Sequence, residues 1–302
     1  MGNNGAANYF RIADCRISSF QRWHSLSKVW RVIQRFSEDI DLAIDPSIWG
    51  FEGDLTKKQI KRLRKASSLF VRDEFCTSLR EAIAKNGLER WLQVEAEPNG
   101  EGDGTYLEPR VIHICYRSLF DTNLPYLHSE VKLEIGARSL LEPTEGAEVT
   151  SILEETLPIS TTIQEVKIPT ALAEKTFLEK AFLLHELFST STRRGADRKS
   201  RHLYDLAQMM KTDIANRAIG NDNLWKAIHH HRELFTSMNG VDYTPDIRQR
   251  IQLLPPEDII DLWRNDYKDM QTSMIFGETP SFTELMETIK KLENLFRQSV
   301  FQ

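Results

Sequence analysis

The chain has 302 residues, is 40% hydrophobic and 27% charged, and carries a formal net charge of −5. That content supports one large core or two modest ones, and with no apolar run near membrane-spanning length and no basic-then-apolar leader, a cytoplasmic protein without a membrane partner is expected. Cys15, Cys76 and Cys115 follow no motif spacing, which leaves them as small core residues or inert thiols and excludes a disulfide framework or a cysteine zinc site.

From Ser25 to Phe36, Leu26, Val29, Trp30 and Ile33 recur at helical spacing, and the run leads into Ser37-Glu38-Asp39-Ile40-Asp41-Leu42. Successive side chains of an extended segment alternate, so Asp39 and Asp41 share one face while Ile40, Leu42 and Ile44 share the other. Two carboxylates that close raise each other's pKa or take a cation between them. Hard oxygen ligands suit Mg²⁺, with waters and substrate phosphates completing its shell. The plain alternative is an acidic, solvent-facing edge strand.

A long helix is expected over residues 56–85. Its first part, residues 57–65, holds six basic residues in nine positions above a partly apolar face of Ile60, Leu63, Ser67 and Phe70. Such a cationic outer side suits a triphosphate, an RNA backbone, or simply solvent. Residues 36–44, 91–96, 110–116 and 131–138 are the strand candidates. Asn99-Gly100-Glu101-Gly102-Asp103-Gly104 lies between two of them with no helix following, so it reads as a hairpin loop and not as a phosphate loop. In the strand at 131–138, Val131, Leu133 and Ile135 point one way and Lys132 and Glu134 the other. Glu134 therefore offers a third carboxylate should this strand neighbour the Asp-x-Asp strand; a surface Lys/Glu face is the alternative.

Strands give way to helices near residue 170. Over residues 171–188, Leu172, Lys175, Thr176, Glu179, Lys180 and His185 mix with Phe177, Ala181, Leu184 and Leu187, which predicts one core face. Lys180 reads as a charge reaching back toward a ligand or as one end of an i,i+4 salt bridge, and His185 as a satisfied core histidine. A basic loop at 193–201 feeds a helix at 202–210, with Leu203, Leu206, Ala207 and Met210 inward and Arg201 and Asp205 sharing a side. Helices at 222–238, 256–274 and 281–300 are expected to pack, with Trp225, Trp263, Tyr267 and Phe276 as core or partner-facing aromatics. His229-His230-His231 is consecutive, cannot converge on one metal, and is expected on a helix surface with one member buried.

Ser25-Leu26-Ser27-Lys28 ahead of Arg35-Phe36-Ser37-Glu38-Asp39-Ile40-Asp41-Leu42 is followed by Val131-Lys132-Leu133-Glu134-Ile135-Gly136. Then come Thr176-Phe177-Leu178-Glu179-Lys180-Ala181-Phe182-Leu183-Leu184-His185 and Arg201-His202-Leu203-Tyr204-Asp205-Leu206. This series resembles the abortive-infection nucleotidyltransferase toxins of the AbiEii/AbiGii type, a branch of the polymerase-β-like nucleotidyltransferases, along most of the chain. The resemblance implies an α+β fold: a nucleotidyltransferase mixed sheet with flanking helices over 25–168, then an all-helical C-terminal domain over 169–302. It implies an enzyme that holds a nucleoside triphosphate (NTP) and Mg²⁺ and transfers a nucleotidyl group to RNA such as tRNA. The enzyme would be the toxin of a phage-defence toxin–antitoxin pair whose antitoxin is encoded nearby. Under it Asp39 and Asp41 are catalytic and hold the metal, and Glu134 is general base or further ligand. Ser25, Lys28, Lys180 and Asp205 bind the nucleotide, Asp205 by ordering Lys180 or the nucleotide itself.

One departure stands at the front. The family pattern ahead of Ser-Leu-Ser-Lys is Gly-Gly-Thr, where glycines let backbone amides approach phosphate, and this chain has Arg22-Trp23-His24. Arg-Trp-His encoded as AGG-TGG-CAC before a T reads, one base later, as GGT-GGC-ACT, which is Gly-Gly-Thr. Residues 1–24 are accordingly expected to be a divergent, out-of-frame lead-in; ordinary divergence is the alternative. Two functions follow: an active toxin, or a catalytically impaired relative that survives as a binding protein or remnant.

Overall fold

The computed structural model describes residues 17–21, 25–36, 39–99, 106–118, 129–149, 166–190, 196–244 and 246–299. These belong to two units, one drawn from residues 1–20, 38–123 and 128–141 and the other from 21–37, 124–127 and 142–302.

In the first unit, β1 (Ile17–Gln21) stands beside β2 (Asp39–Ile44). Asp45 then caps a single 3₁₀ turn, Pro46–Trp49, its Oδ1 accepting from the Ser47 amide at 2.8 Å, and Gly50 at φ 72° closes the turn where a side chain would be strained. Helix α1 (Lys57–Phe70) begins with a capping box, in which Thr56 accepts from the Gln59 amide and Gln59 Oε1 accepts from the Thr56 amide at 2.9 Å. It runs through one π turn, Val71–Phe75, into α2 (Cys76–Lys85), so the long helix expected over 56–85 is present.

Strands β3 (Leu92–Ala96), β4 (Arg110–Tyr116) and β5 (Glu130–Gly136) complete a mixed sheet with the order β3-β4-β5-β2. β3–β4 and β4–β5 are antiparallel; β5 runs parallel to β2. β3 and β4 are joined as the expected hairpin, although residues 100–105 of its loop lie outside the described residues. One face of this sheet is apolar: Leu42, Ile44, Val94, Ile112, Leu133 and Ile135 are buried, as are Leu63, Val71, Phe75 and Leu79 from α1, the π turn and α2. Each such side chain contributes about 1.5–3 kcal/mol when fully buried. Arg110, also buried on that face, donates from Nε to Ser68 Oγ of α1 at 3.0 Å and fixes the helix on the sheet.

The second unit contains an antiparallel pair, β6 (Thr144–Val149) with β7 (Val166–Ala171), which the sequence pattern did not signal. From there on the longer regular elements among the described residues are helices: α3 (Ala173–Ser189), α4 (Ser200–Met209), α5 (Ile214–Gly220), α6 (Asp222–Phe235), α7 (Ile260–Ser273) and α8 (Phe282–Gln298). The expected α+β arrangement, mixed sheet first and helices last, is thus observed. α3 is buried on nearly every side, including Lys175, Thr176, Glu179 and Lys180, and not on one face as its pattern suggested. It is the central helix, packed by α4, α5 and α6, with ring pairs Phe182–Trp225 (4.5 Å) and Phe188–Trp263 (4.8 Å) filling the space around it.

The helix expected over residues 25–36 is not continuous. A single π turn, Ser25–Val29, ends at Arg31 with φ 52°, and the chain then extends. The Phe36 amide donates to Met274 O (2.8 Å) and the Phe276 amide to Gln34 O (2.9 Å), a strand-like bridge centred on Arg35 and Ile275. This tertiary pairing overrides the 3,4 spacing of the apolar residues. No helix among the described residues is long and apolar enough to cross a membrane.

Gly136, at the end of β5, is where a side chain cannot fit: a Cβ there would lie 2.7 Å from Glu108 Oε1 and 3.2–3.3 Å from Pro109. Glu108 Oε1 is itself held by the Ala137 amide at 2.5 Å. Gly136→Ala should therefore lower unfolding stability by about 1–3 kcal/mol through overpacking, whereas Gly146→Ala, with nothing within 4 Å of its Cβ, should not; urea titration of both variants reads the difference.

Candidate active site

Strand register assembles the first set of residues. In the parallel β2–β5 pair, Asp39 lies opposite Lys132 and Asp41 opposite Glu134. Paired residues point to the same side of a sheet, so Asp39, Asp41 and Glu134 lie on one face, the one away from α1 and α2. Asp39 is buried, while Asp41 and Glu134 are half-buried. Further along the same face the β4–β5 register sets His113 opposite Lys132. Glu130 there takes a hydrogen bond with His113 Nδ1 (2.8 Å) and an ion pair with Lys132 Nζ (3.3 Å). The face is thus polar over at least two strands, with the three acids at one end.

No group of three or more His, Cys, Asp or Glu among the described residues is drawn together as a preformed metal cluster. The donor set nevertheless fits Mg²⁺, which is commonly bound through one or two carboxylates and completes its octahedron with waters and substrate phosphates. Asp39 and Asp41 supply such oxygens side by side on one strand face.

The second set lies in the other unit. Asp205, on α4, is fully buried and is shared by two cations: Arg35 grips it with Nε (2.8 Å) and Nη2 (2.9 Å), and Lys180 Nζ, from α3, approaches to 2.9 Å. Burial alone would raise the Asp205 carboxyl, yet Arg35 and Lys180 hold it below the usual carboxylate range. Burial pushes the Lys180 ammonium down to about 7, against the pull of Asp205 and with the help of Arg35 and Arg201. Lys180 and Asp205, singled out together from the sequence, are therefore direct partners, and the i,i+4 pairing on a solvated face is not what is found. Arg35 was missed. Its only sequence signal was a cation between the apolar residues that lead into the acidic strand.

Ser25 is buried and Lys28 half-buried on the π turn. Trp30 Nε1 donates to Ala171 O at 3.2 Å, which ties this turn to the end of β7, two residues before α3 begins. The basic segment before α4 is fixed from α7: Asp266 accepts from the Arg198 amide (2.6 Å) and the Ser200 amide (2.8 Å).

Other candidates fall out of the chemistry. His185 Nδ1 accepts from the Gln252 amide at 3.0 Å, and burial holds its pKa down to about 4, so it is the satisfied neutral core histidine expected. Of the three consecutive histidines none is fully buried; His229 is half-buried against Tyr243 O (3.1 Å) and His231 stacks on Phe235. Cys76 is a buried free thiol and Cys115 a half-buried one, while Cys15 lies outside the described residues. The cations of α1 sit on the helix covering the opposite face of the sheet from the acids, so they are not placed to meet a triphosphate at Asp39 and Asp41.

The family profile for the nucleotidyl transferase AbiEii toxin of type IV toxin–antitoxin systems matches residues 24–288. The chain belongs to this family. An AbiEii nucleotidyltransferase toxin has an antitoxin as its partner in the system, and the match covers both residue sets described above while starting after Arg22 and Trp23. Among solved structures, this AbiEii chain is similar to MenT4, a nucleotidyltransferase toxin from Mycobacterium tuberculosis H37Rv. The TM-score is 0.51 at 12% identity, over 93% of this chain and 76% of that one, a likeness of fold. No curated protein matches the sequence.

The buried ion group makes two expectations. Asp205→Ala removes the buried carboxylate that Arg35 and Lys180 share and should cost about 3–5 kcal/mol in urea unfolding. Lys180 titrates near 7 in the folded AbiEii chain against an ordinary 10.5, so between those values the unfolded chain holds the extra proton and stability rises with pH. The urea midpoint of the wild type should climb from pH 7 to pH 9 by an increment that Lys180→Met lacks; an identical climb in both would remove Lys180 as its source.

Proposed function

We propose that this chain is a Mg²⁺-dependent nucleotidyltransferase that transfers a nucleotidyl group from an NTP to a hydroxyl of RNA, with tRNA as the acceptor class. The observation that carries the reading is the β2–β5 register, which puts Glu134 beside Asp41 and both on the face of Asp39. Asp39 and Asp41 would hold the ion, which when bound offsets triphosphate charge and polarises the reacting phosphoryl group. Glu134 takes the proton of the acceptor hydroxyl, whose oxygen forms the new bond to the α-phosphorus as the bond to the β-phosphate oxygen breaks and pyrophosphate leaves. Ser25 and Lys28 on their turn, and Lys180 ordered by Asp205, are the nucleotide-binding group of this reading.

A second reading has its own observation: Arg22-Trp23-His24 replaces the glycine turn of the family pattern, so the chain is an impaired relative that binds without catalysing. Incubation with each labelled NTP and total RNA separates the two. Under the first reading RNA becomes labelled, and Asp39→Ala or Asp41→Ala lowers transfer by about three orders of magnitude or more with the circular dichroism spectrum kept. Full activity in either variant sinks the assignment.

The front end has its own test. A variant with residues 22–24 replaced by Gly-Gly-Thr should bind triphosphate more tightly than this chain; equal binding would show the glycines to be dispensable. The nucleotide sequence decides the frame directly, since the idea requires that a single-base change upstream of Ser25 restore Gly-Gly-Thr.

A further inference from the structure

Helix α1 presents Lys57, Lys58, Lys61, Arg62 and Lys65 to solvent, and its sequence from Lys57 to Phe70 holds no Asp or Glu. Ordinary solvated helices interleave the two signs, because like charges four residues apart repel and cations in a first turn oppose the helix dipole. Here both penalties are taken at once. Lys57–Lys61, Lys61–Lys65 and Lys58–Arg62 are i,i+4 like-charge pairs, and Lys57 and Lys58 occupy the first turn. Among the described residues none of the five ends in an ion pair, and Lys65 lies over the Tyr106 ring at 5.4 Å. The helix is instead held by its capping box and by the buried Leu63, Ser67 and Ser68, so its folding does not require the charges. All this occurs in a chain whose net charge is −5.

We infer that this cationic ridge is an anchor for the phosphodiester backbone of a folded RNA, on the face of the first unit opposite the carboxylates. The inference rests on the RNA-acceptor reading above for the identity of the polyanion. Lys57, Lys61 and Lys65 recur about every 6 Å along the axis, a repeat on the scale of the step between successive phosphates. The exposed side carries no large apolar residue that would enter a lipid interface, which favours a nucleic acid over a membrane. The geometry also selects the size of the ligand. The ridge stands a helix diameter, roughly 10 Å, beyond the sheet whose other face bears Asp39, Asp41 and Glu134. A mononucleotide or short oligomer at the acids does not reach it; an RNA of tRNA size curves around the edge and does.

The test uses the full chain, unfractionated tRNA, a six-nucleotide oligoribonucleotide and phosphatidylserine vesicles, each titrated at several salt concentrations. In the variant K57Q/K58Q/K61Q/R62Q/K65Q, tRNA affinity should fall about tenfold or more, with the slope of log K against log salt shrinking by about 0.7–0.9 per lost phosphate contact. Oligomer affinity should stay as in the wild type, vesicles should bind neither protein, and the thermal midpoint should hold or rise as the like-charge repulsion is removed. K57R/K58R/K61R/K65R should retain tRNA binding. The anchor is overturned if tRNA affinity and slope are unchanged, if the oligomer loses as much as tRNA, or if vesicles bind the wild type and not the variant. Should the five-fold variant not fold, Lys61→Glu alone reads the same slope. Failure of the transferase reading is distinct: absence of labelled RNA leaves the binding result intact, while transfer by the five-fold variant with an unchanged KM for tRNA removes the anchor alone.

Discussion

The parallel pairing of β2 with β5 is the constraint on which the first unit depends. Parallel neighbours cannot be joined by a tight turn; they need a crossover, and here the crossover contains α1, α2 and the β3–β4 hairpin. The pairing also sets the chemistry. A slip of one residue would send every side chain of β2 to the other face, burying Asp39 and Asp41 against the helices and exposing Leu42 and Ile44. The apolar alternation that holds the core is therefore the same device that keeps the acids together.

A different logic governs the second unit. Its centre is α3, a helix with Lys175, Glu179, Lys180 and Glu186 among its buried residues, which only satisfied charge pairs make tolerable. Glu186 is bound by Arg232 and by the Tyr243 hydroxyl at 2.8 Å, and Lys180 by Asp205. Such pairs contribute little net stability relative to apolar packing but penalise every arrangement that separates them.

Much of this was legible in the residues. Period-two alternation located β4 within its bounds and β2, β3 and β5 to within a few positions, and the same alternation placed Glu134 on the side of Lys132. Lys180 and Asp205 were linked by the family resemblance alone; helix phasing set Asp205 beside Arg201 and gave no sign of Lys180 as its partner. The failures share a cause. The Leu26, Val29, Trp30 and Ile33 spacing fits a helix, yet Arg31 at φ 52° and the backbone bonds of Gln34 and Phe36 to the segment around Ile275 decide otherwise, and those partners lie some 240 residues away. Arg35 was invisible as an ion partner for the same reason: its carboxylate is 170 residues downstream. β6 and β7 have too little apolar alternation, in Thr-Glu-Gly-Ala-Glu-Val and Val-Lys-Ile-Pro-Thr-Ala, to stand out.

Arg35 also fixes an order of events during synthesis. The segment 21–37 belongs to the helical unit but leaves the ribosome ahead of β2, β3, β4 and β5, and the carboxylate that receives its guanidinium is made only after a further 170 residues. Domains that are continuous in sequence can close as they emerge. This helical unit cannot: its earliest piece must wait, with a charged side chain destined for the interior still in water, until α4 has been translated. Separate expression of residues 142–302 would meet the complementary problem, a helical bundle with Asp205 buried and one of its two cations never made.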